Sequence, residues 1–396
     1  MAFEHVHIPY GAYWSTPFCR WQGSLSGHHS IELAGRVGRE FLESGDIAPE
    51  TFDGVVLGTT VTQRHDFYGA PWLAAMLGAD RITGPTVSQA CATSARLLAS
   101  AALEVQTGQR ECLLAVGCDR TSNGPHIYYP DPGGVGGQGR SEDPVLGNMD
   151  NDPHAGLAMV RTAENLAAEA GITRAEQDAV TVLRHAQYQD ALAEDRAFQR
   201  RYMVAVELLS RRKVVGIVDA DEGVHDTTAD GLAALRPVTD GGTVTFGTQT
   251  HPADGNAGVV VCSRDRAAEL EREPVPVRLV SYGEARVESG LMPKASVPAA
   301  RDALGRAGIT IEQCEAIKTH NPFAVADVFF CREMGVAPEA VNNYGSTLVW
   351  GHPQAPMGLR AVVELIEELV IAGGGYGLFS GCAGGDSAMA VVVEVG

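Results

Sequence analysis

Basic residues are scarce. The chain has only three lysines, Lys213, Lys294 and Lys318, and its 30 lysines and arginines face 49 aspartates and glutamates, a formal net charge of −19 over 396 residues. A surface this acidic repels nucleic acid and anionic lipid, so neither is expected as a partner. An anionic ligand needs a local basic patch, and arginine must supply most of it. No apolar run reaches the roughly 20 residues that span a bilayer. The opening, MAFEHVHIPYGAYWSTPF, lacks a basic end followed by an apolar core, so no signal peptide is expected. Cysteine is sparse too. Cys19, Cys91, Cys112, Cys118, Cys262, Cys314, Cys331 and Cys382 form no C-x-x-C pair. That argues against a disulfide framework and a structural zinc site, and for reduced thiols in a cytoplasm, most of them small core residues.

With 45% hydrophobic and 20% charged residues the composition is that of a globular protein, and the length calls for two or three packed lobes. Ile31–Ser44 has helical apolar spacing, Gly54–Thr60 reads as a buried strand, and Ala70–Leu77 as a short helix. Thr86–Ala90 is a strand leading into a long helix, Ala92–Gln106, and Leu113–Gly117 is the next strand. Strands alternating with helices predict an α/β layered fold. Gly, Pro and Asp crowd Pro125–Pro153, which reads as loops, and helices are expected at Leu157–Ala170, Arg174–Glu194 and Asp195–Arg211. Val259–Cys262 resumes the strand pattern. The last third repeats the first, with strands at Val277–Tyr282, Ala316–Thr319, Tyr376–Phe379 and Met389–Val395 and helices at Val297–Ala307, Phe323–Met334 and Met357–Ala372. Two similar halves around an inserted lobe suggest a duplication.

Four stretches place reactive residues at strand-to-helix or strand-to-strand turns. Cys91, in Ser88-Gln-Ala-Cys91-Ala-Thr-Ser, falls at the start of the long helix, where free N–H groups and the helix dipole favour a thiolate and can bind an oxyanion. His352 lies between Gly351 and Pro353 on a short rigid loop, which suits a base facing a cysteine. Cys382 sits in Gly381-Cys382-Ala-Gly384-Gly385, where glycines let the backbone approach a substrate. His320, in Thr319-His320-Asn321-Pro322-Phe323, ends a strand and is placed to orient a water. Singly, each stretch is matched by a bland reading: a core cysteine, a turn histidine, a glycine turn, a helix cap.

Together, two cysteines, two histidines and glycine-rich turns at matching topological points resemble the thiolase family over essentially the whole chain. In thiolases a nucleophilic cysteine precedes a long helix, as Cys91 does. A later stretch rich in Asn and Gly ends in Gly-His-Pro and then Gly-x-Arg, matched by Asn342 through Arg360. The closing Cys-x-Gly-Gly-Gly is matched, with one change, by Cys382 through Asp386. Thr162-Ala163-Glu164-Asn165, Leu235-Arg236-Pro237 and the run from Gly242 through Asp254-Gly255 fit as well. The departures bear on substrate more than mechanism. His320-Asn321-Pro322-Phe323 replaces the Asn-Glu-Ala-Phe of acetoacetyl-type thiolases, with histidine first as in the trifunctional-enzyme and sterol-carrier types. Gln354-Ala355-Pro356 replaces a Gly/Ser-rich turn, Thr250 stands where a serine near the pantetheine is usual, and Asp386 replaces the third glycine.

The resemblance implies a duplicated α-β-α-β-α fold with an inserted loop lobe. Residues 1–121 form the N-terminal half, 122–240 the lobe, 241–270 a return to the first half and 271–396 the C-terminal half. It implies thiolytic cleavage of a 3-oxoacyl-CoA through a Cys91 acyl-enzyme. His352 accepts the Cys91 proton, and Cys382 moves the proton on the carbon α to the thioester. His320 with a water completes one oxyanion hole, and the N–H groups of Cys91 and Gly384 form the other. Thr250, Phe323 and Gly351 fall at CoA contacts. No metal or redox cofactor is implied; CoA is a substrate. A homodimer or dimer of dimers is expected, and a small OB-fold or zinc-ribbon partner subunit is allowed. Biosynthetic Claisen condensation and a ketoacyl-synthase-like activity are the alternative reactions, the second disfavoured by Cys382; a non-catalytic CoA-binding subunit is the alternative outside enzymes. Tyr10, Tyr13, Trp14, Phe18, Trp21, Tyr128, Tyr129 and Trp350 offer flat walls for a bulky or aromatic acyl group, and the arginines allow it a carboxylate.

Overall fold

The computed structural model describes residues 2–211 and 213–396. The first part of the chain runs through strands β1 (Tyr13–Ser15) and β2 (Cys19–Arg20), helix α1 (Ser30–Ser44), β3 (Gly54–Gly58), α2 (Gly69–Met76), β4 (Thr86–Val87), α3 (Thr93–Gln106) and β5 (Cys112–Arg120). A hairpin of β6 (Ile127–Tyr129) and β7 (Arg140–Glu142) follows, then α4 (Leu146–Asp150), α5 (Met159–Ala170) and α6 (Arg174–Arg196). A second hairpin, β8 (Val206–Ser210) with β9 (Lys213–Val218), leads to α7 (Ala229–Ala233), β10 (Ala253–Cys262) and α8 (Arg264–Leu270). The last part contains β11 (Val277–Arg286), α9 (Ser296–Ala307), β12 (Cys314–His320), α10 (Ala324–Met334), α11 (Thr347–Trp350), α12 (Met357–Ala372), β13 (Gly375–Ala383) and β14 (Ser387–Val395).

One sheet has the order β1-β10-β5-β3-β4, with β2 also on β10; the other has the order β11-β14-β13-β12. Strand β10 reaches back across the intervening segment to pair antiparallel with β5 along its whole length, Asp254 opposite Arg120 and Cys262 opposite Cys112. Helices α3 and α12 lie between the two sheets and touch both; α1 and α2 cover the outer face of the first, and α9, backed by α10, covers the second. The expected five-layer arrangement is therefore present. Both middle helices are buried over most of their surface, so their apolar residues spread well beyond one stripe, and the charges that α12 carries must find partners inside the protein.

The charges on α12 are paired inside the core. Arg360 clasps Asp221 at 2.6 and 2.8 Å and Glu364 at 3.0 Å, with its guanidinium against the rings of Phe18 and Trp350. Lys318 faces Glu364 at 3.7 Å and Glu368 at 3.4 Å. Removing one partner of such a buried pair typically costs about 3–5 kcal/mol. Two of the few cations are thus spent on packing rather than on a ligand.

The helix expected at Asp195–Arg211 is not there. Glu194, Asp195 and Arg196 take positive φ and end the regular helix, and Val206–Ser210 begins a hairpin. Val206 is buried and Glu207 exposed, the alternation of a strand with one covered face. The stretch expected as loops, Pro125–Pro153, holds the β6–β7 hairpin and α4. Six of the eight cysteines are buried, Cys91 and Cys314 keep some surface, and all are free thiols.

Candidate active site

Beyond β4 the chain turns through Ser88–Ala92 into α3. Ala90 sits at φ +46°, a left-handed conformation that alanine resists. It is held there by Thr93, whose N–H and hydroxyl both donate to the Ala90 carbonyl at 3.1 and 2.7 Å, while the Gln89 N–H donates to that hydroxyl at 2.8 Å. This turn presents Cys91 two residues ahead of the first helical residue, Thr93, slightly earlier than its periodicity suggested.

The partner loop comes from the other half. His352 follows Gly351, whose φ of +93° and close approach to the His251 ring leave no room for a side chain. The His352 N–H donates to the His251 carbonyl at 2.8 Å. Asp119, at the end of β5, joins the two halves here. Its buried carboxylate accepts from the Thr59 hydroxyl, the Thr60 hydroxyl and N–H, the Val61 N–H and, at 2.9 Å, the Ala355 N–H of the His352 loop. Burial pushes the Asp119 carboxyl up, and these N–H groups pull it back. The Thr60 hydroxyl oxygen also lies 2.8 Å from the Gln354 side-chain amide, which holds that residue of the loop.

The result is a Cys91 Sγ to His352 Nε2 contact of 3.1 Å. The His320 and His352 ring centroids are 4.5 Å apart, and one ligand atom each from Cys91, His320 and His352 lies within 4.8 Å of the others. That spacing also suits a soft metal ion, which would occupy the thiol rather than free it. His320 Nδ1 meets the Thr347 hydroxyl at 3.3 Å, and its Nε2 is buried without a partner, a place for a water. Neighbouring Asn321 is held by Asp327 at 2.7 Å and Ser346 at 2.9 Å, so it fixes the loop rather than facing the cavity. Cys382 is buried at the end of β13, near enough that a charge on Cys91 opposes its ionisation. Gly384 lines the same cavity beside Cys91, and its N–H draws the Cys91 thiol down.

Burial dominates the electrostatics. The Cys91 thiol is pushed up to about 11 by burial, against the opposing pull of the Gly384 and Cys91 N–H groups. The expected depressed thiol is therefore corrected: two N–H groups do not outweigh enclosure of the sulfur. Burial also pushes His352 down to about 3, and His320 is lowered by burial and then by His352. Near pH 7 a neutral thiol stands beside a neutral imidazole, and the proton must move as the sulfur attacks. Burial, and then Cys91, push the Cys382 thiol up as well.

This sets an acid dependence of stability. Unfolded, His352 titrates near 6.5; folded, near 3. The unfolded chain alone takes up the proton between those values, so this contribution is complete above pH 6.5 and is lost as pH falls toward 3. Each such histidine adds about 1.4 kcal/mol per pH unit to the slope. His352→Asn is expected to remove about one proton's worth of slope between pH 5.5 and 4 in urea melts. Curves parallel to those of the parent would show that His352 protonates in the folded protein.

Cys91, His352, Gly384, Thr250 and Phe323 all line one cavity of about 620 Å³. Thr250 spends its hydroxyl on the Thr347 carbonyl at 2.6 Å. Gly351 does not line this cavity; its part is the shape of the His352 loop. Sequence reasoning missed most of the walls: Val145, Leu146, Met149, Met159, Met292 and Phe246. It also placed the aromatic set wrongly. Tyr10, Tyr13, Trp14, Phe18 and Trp350 are core residues, Tyr128 and Tyr129 are exposed, and Trp21 lines a second cavity. That second cavity, about 600 Å³, carries Arg20, His185, His225 and His251 and shares Phe246 and Gln249 with the first.

Two family models match, the thiolase N-terminal domain over residues 12–265 and the thiolase C-terminal domain over residues 274–395. The chain belongs to the thiolase family. It is 32% identical to beta-ketothiolase BktB of Cupriavidus necator, over 94% of this chain and 95% of that protein. It is 27% identical to beta-ketoadipyl-CoA thiolase of Acinetobacter baylyi, over 96% and 97%. Among solved structures, human mitochondrial 3-ketoacyl-CoA thiolase in complex with CoA superposes with a TM-score of 0.91 at 26% identity, covering 100% of this chain and 99% of that one. This thiolase is an acyltransferase by family. No described helix is long and apolar enough to cross a membrane.

Proposed function

We propose that this thiolase cleaves a bulky, uncharged 3-oxoacyl-CoA with free CoA, through an acyl-enzyme on Cys91. The observation that carries the reading is the 3.1 Å thiol–imidazole pair opening on a 620 Å³ cavity with mainly apolar walls. Sulfur attacks the 3-oxo carbon as its proton passes to His352. The oxyanion on the carbon bonded to Cys91 falls to the Cys91 and Gly384 N–H groups; as the bond between carbons 2 and 3 breaks, the enolate oxygen of the departing thioester falls to His320 with a water. Cys382 protonates the carbon released from the acyl group. The Cys382 thiolate then takes the proton of the CoA thiol, CoA attacks the acyl-enzyme carbonyl, and the shortened acyl-CoA leaves as the Cys91 sulfur recovers its proton from His352; no metal or redox group is needed.

Two features support an uncharged acyl group. No lysine or arginine among the described residues lines the catalytic cavity, whereas Asp150 and Asp152 do. A carboxylate buried there loses its hydration without gaining a partner. The carboxylate that the arginines allowed is therefore dropped. Arg20 of the second cavity supplies the positive charge for the phosphates of CoA, with the pantetheine passing Phe246 and Gln249. The test is kcat/KM with free CoA for acetoacetyl-CoA, branched or aromatic 3-oxoacyl-CoAs and 3-oxoadipyl-CoA. The bulky neutral substrates are expected to lead by about tenfold or more; one buried methylene is worth up to that much. A lead for acetoacetyl-CoA or for 3-oxoadipyl-CoA ends the reading.

A second copy of the chain is the proposed assembly partner. Strand β4 is a sheet edge, and Phe67 and Tyr68, two and one residues ahead of α2, are 93% and 62% exposed. Unpaired edges beside exposed aromatics favour self-association. Light scattering at micromolar concentration is expected to give at least twice 41.8 kDa; a monomer mass rules the dimer out.

A further inference from the structure

Cys382 ends β13, and Gly384 follows it on a three-residue loop, Gly384-Gly385-Asp386, that joins β13 to β14. The sheet ladder closes this loop at Ala383 and Ser387 but makes no contact with its tip, where Asp386 adds contacts of its own. Asp386 is almost fully buried and takes φ +56°, next to Gly385 at +79°. Its carboxylate accepts from two successive backbone groups of the facing segment, the Gly290 N–H at 3.0 Å and the Leu291 N–H at 3.1 Å. Its carbonyl accepts from the Val287 N–H at 2.9 Å. That segment is anchored in turn by Asn165, which donates to the Gly290 carbonyl at 2.9 Å. On the other side of the loop, Arg286 donates to the Gly385 carbonyl at 3.2 Å, and the Gly385 N–H is within reach of Asp152 in the loop after α4.

We propose that Asp386 is a positioning residue for acyl transfer: its carboxylate clamps the Gly384 loop to Gly290–Leu291 and thereby aims the Gly384 N–H at the Cys91 sulfur and at the oxyanion formed beside it. A glycine at 386 accommodates the positive φ without strain but supplies no clamp. Aspartate accepts the less comfortable backbone and adds two fixed side-chain contacts. The chain of contacts runs from Asn165 through Gly290, Asp386 and Gly384 to Cys91, and it joins the helix layer over the second sheet to the nucleophile. Only Gly384 in that chain touches the reacting atoms, and Asp386 acts through it. The inference rests on the acyl-transfer reading, but one of its readouts does not.

The test compares Asp386→Gly and Asp386→Asn with the parent chain in two measurements. The first is kcat per active site, with sites counted by the acyl-enzyme burst on Cys91, so that a loss of folded protein does not register. The second is the pH profile of Cys91 alkylation by iodoacetamide, which needs no acyl-CoA and reports whether the Gly384 N–H still favours the thiolate. Asp386→Gly is expected to lower kcat per site roughly 10- to 100-fold, the range that loss or misplacement of an oxyanion donor produces. It is also expected to move alkylation to higher pH. Asp386→Asn keeps one acceptor oxygen and the left-handed backbone and is expected to fall between, severalfold below the parent. If Asp386→Gly does not fold, Asp386→Asn decides by the same two readouts. A folded variant whose kcat per site is within twofold of the parent, with an unmoved alkylation profile, overturns the proposal. If the parent turns over no acyl-CoA, the proposed reaction fails, and the alkylation profile alone decides on Asp386.

Discussion

Cys91→Ala is expected to abolish acyl transfer, by roughly 10⁴-fold or more in kcat, the scale on which loss of a covalent nucleophile acts. The fold should survive, because Cys91 precedes α3 rather than lying in it, and trimming one sulfur atom at a cavity wall removes little packing. Among the eight thiols Cys91 alone combines contact with an imidazole, an N–H aimed at its sulfur and access to a cavity. Cys19, Cys112, Cys118, Cys262 and Cys331 are buried in the cores, and Cys314 bonds only to a backbone carbonyl. Mass spectrometry after incubation with substrate should therefore find one acyl adduct, on Cys91. An adduct confined to Cys19 or Cys262 would remove Cys91 as the nucleophile. Alkylation of Cys91 should be slow at pH 7 and still rising at pH 9, since burial holds its thiol near 11. His352→Ala should slow acylation itself, because His352 is the base in direct hydrogen-bond contact with the sulfur.

The parts of this site that were legible in the sequence are those with local chemistry. Cys91 before a long apolar helix, His352 between glycine and proline, and Cys382 before paired glycines each carry their signal within a few residues. Asp119 does not. It ends a buried strand in Cys118-Asp119-Arg120 and reads there as a strand terminus, yet it joins the turn after β3 to the His352 loop. Its partners lie about 60 residues before it and 236 after it, so no window of sequence contains the contact. The cavity walls fail for the same reason: Met149, Phe246 and Met292 come from three separate segments. The aromatic residues misled because ring area is as useful between layers as around a ligand. Phe18 and Trp350 pack edge to face at 5.4 Å and both contact the Arg360 guanidinium, which turns a buried charge into part of the core. The missed β8–β9 hairpin followed a helix whose end is set by three left-handed residues, none of them glycine, and that conformation leaves little trace in composition.

Cys382→Ser is expected to separate the two halves of the reaction. Serine keeps the size and rotamers of cysteine but is a far weaker acid, so it cannot take a proton from carbon at a useful rate. Loss of a positioned general acid–base costs about 10²–10⁴-fold, and that loss should fall on exchange of the proton α to the thioester. Formation of the Cys91 acyl-enzyme should persist, since Cys91 has its own base in His352 and its own N–H donors. Burying a hydroxyl among the apolar neighbours of Cys382 costs stability, about 1–3 kcal/mol if it finds no partner. Rates must therefore be taken per acylated site. Deuterium uptake from D₂O into acyl-CoA, followed by NMR beside the acyl-enzyme burst, separates the two effects. Exchange at the parent rate in a chain that still acylates would take Cys382 out of the mechanism and leave the buried thiol as packing. Loss of both steps together would mean that the loop carrying Gly384 had moved, and the same pair of measurements would then locate the fault in the oxyanion donor rather than in the acid.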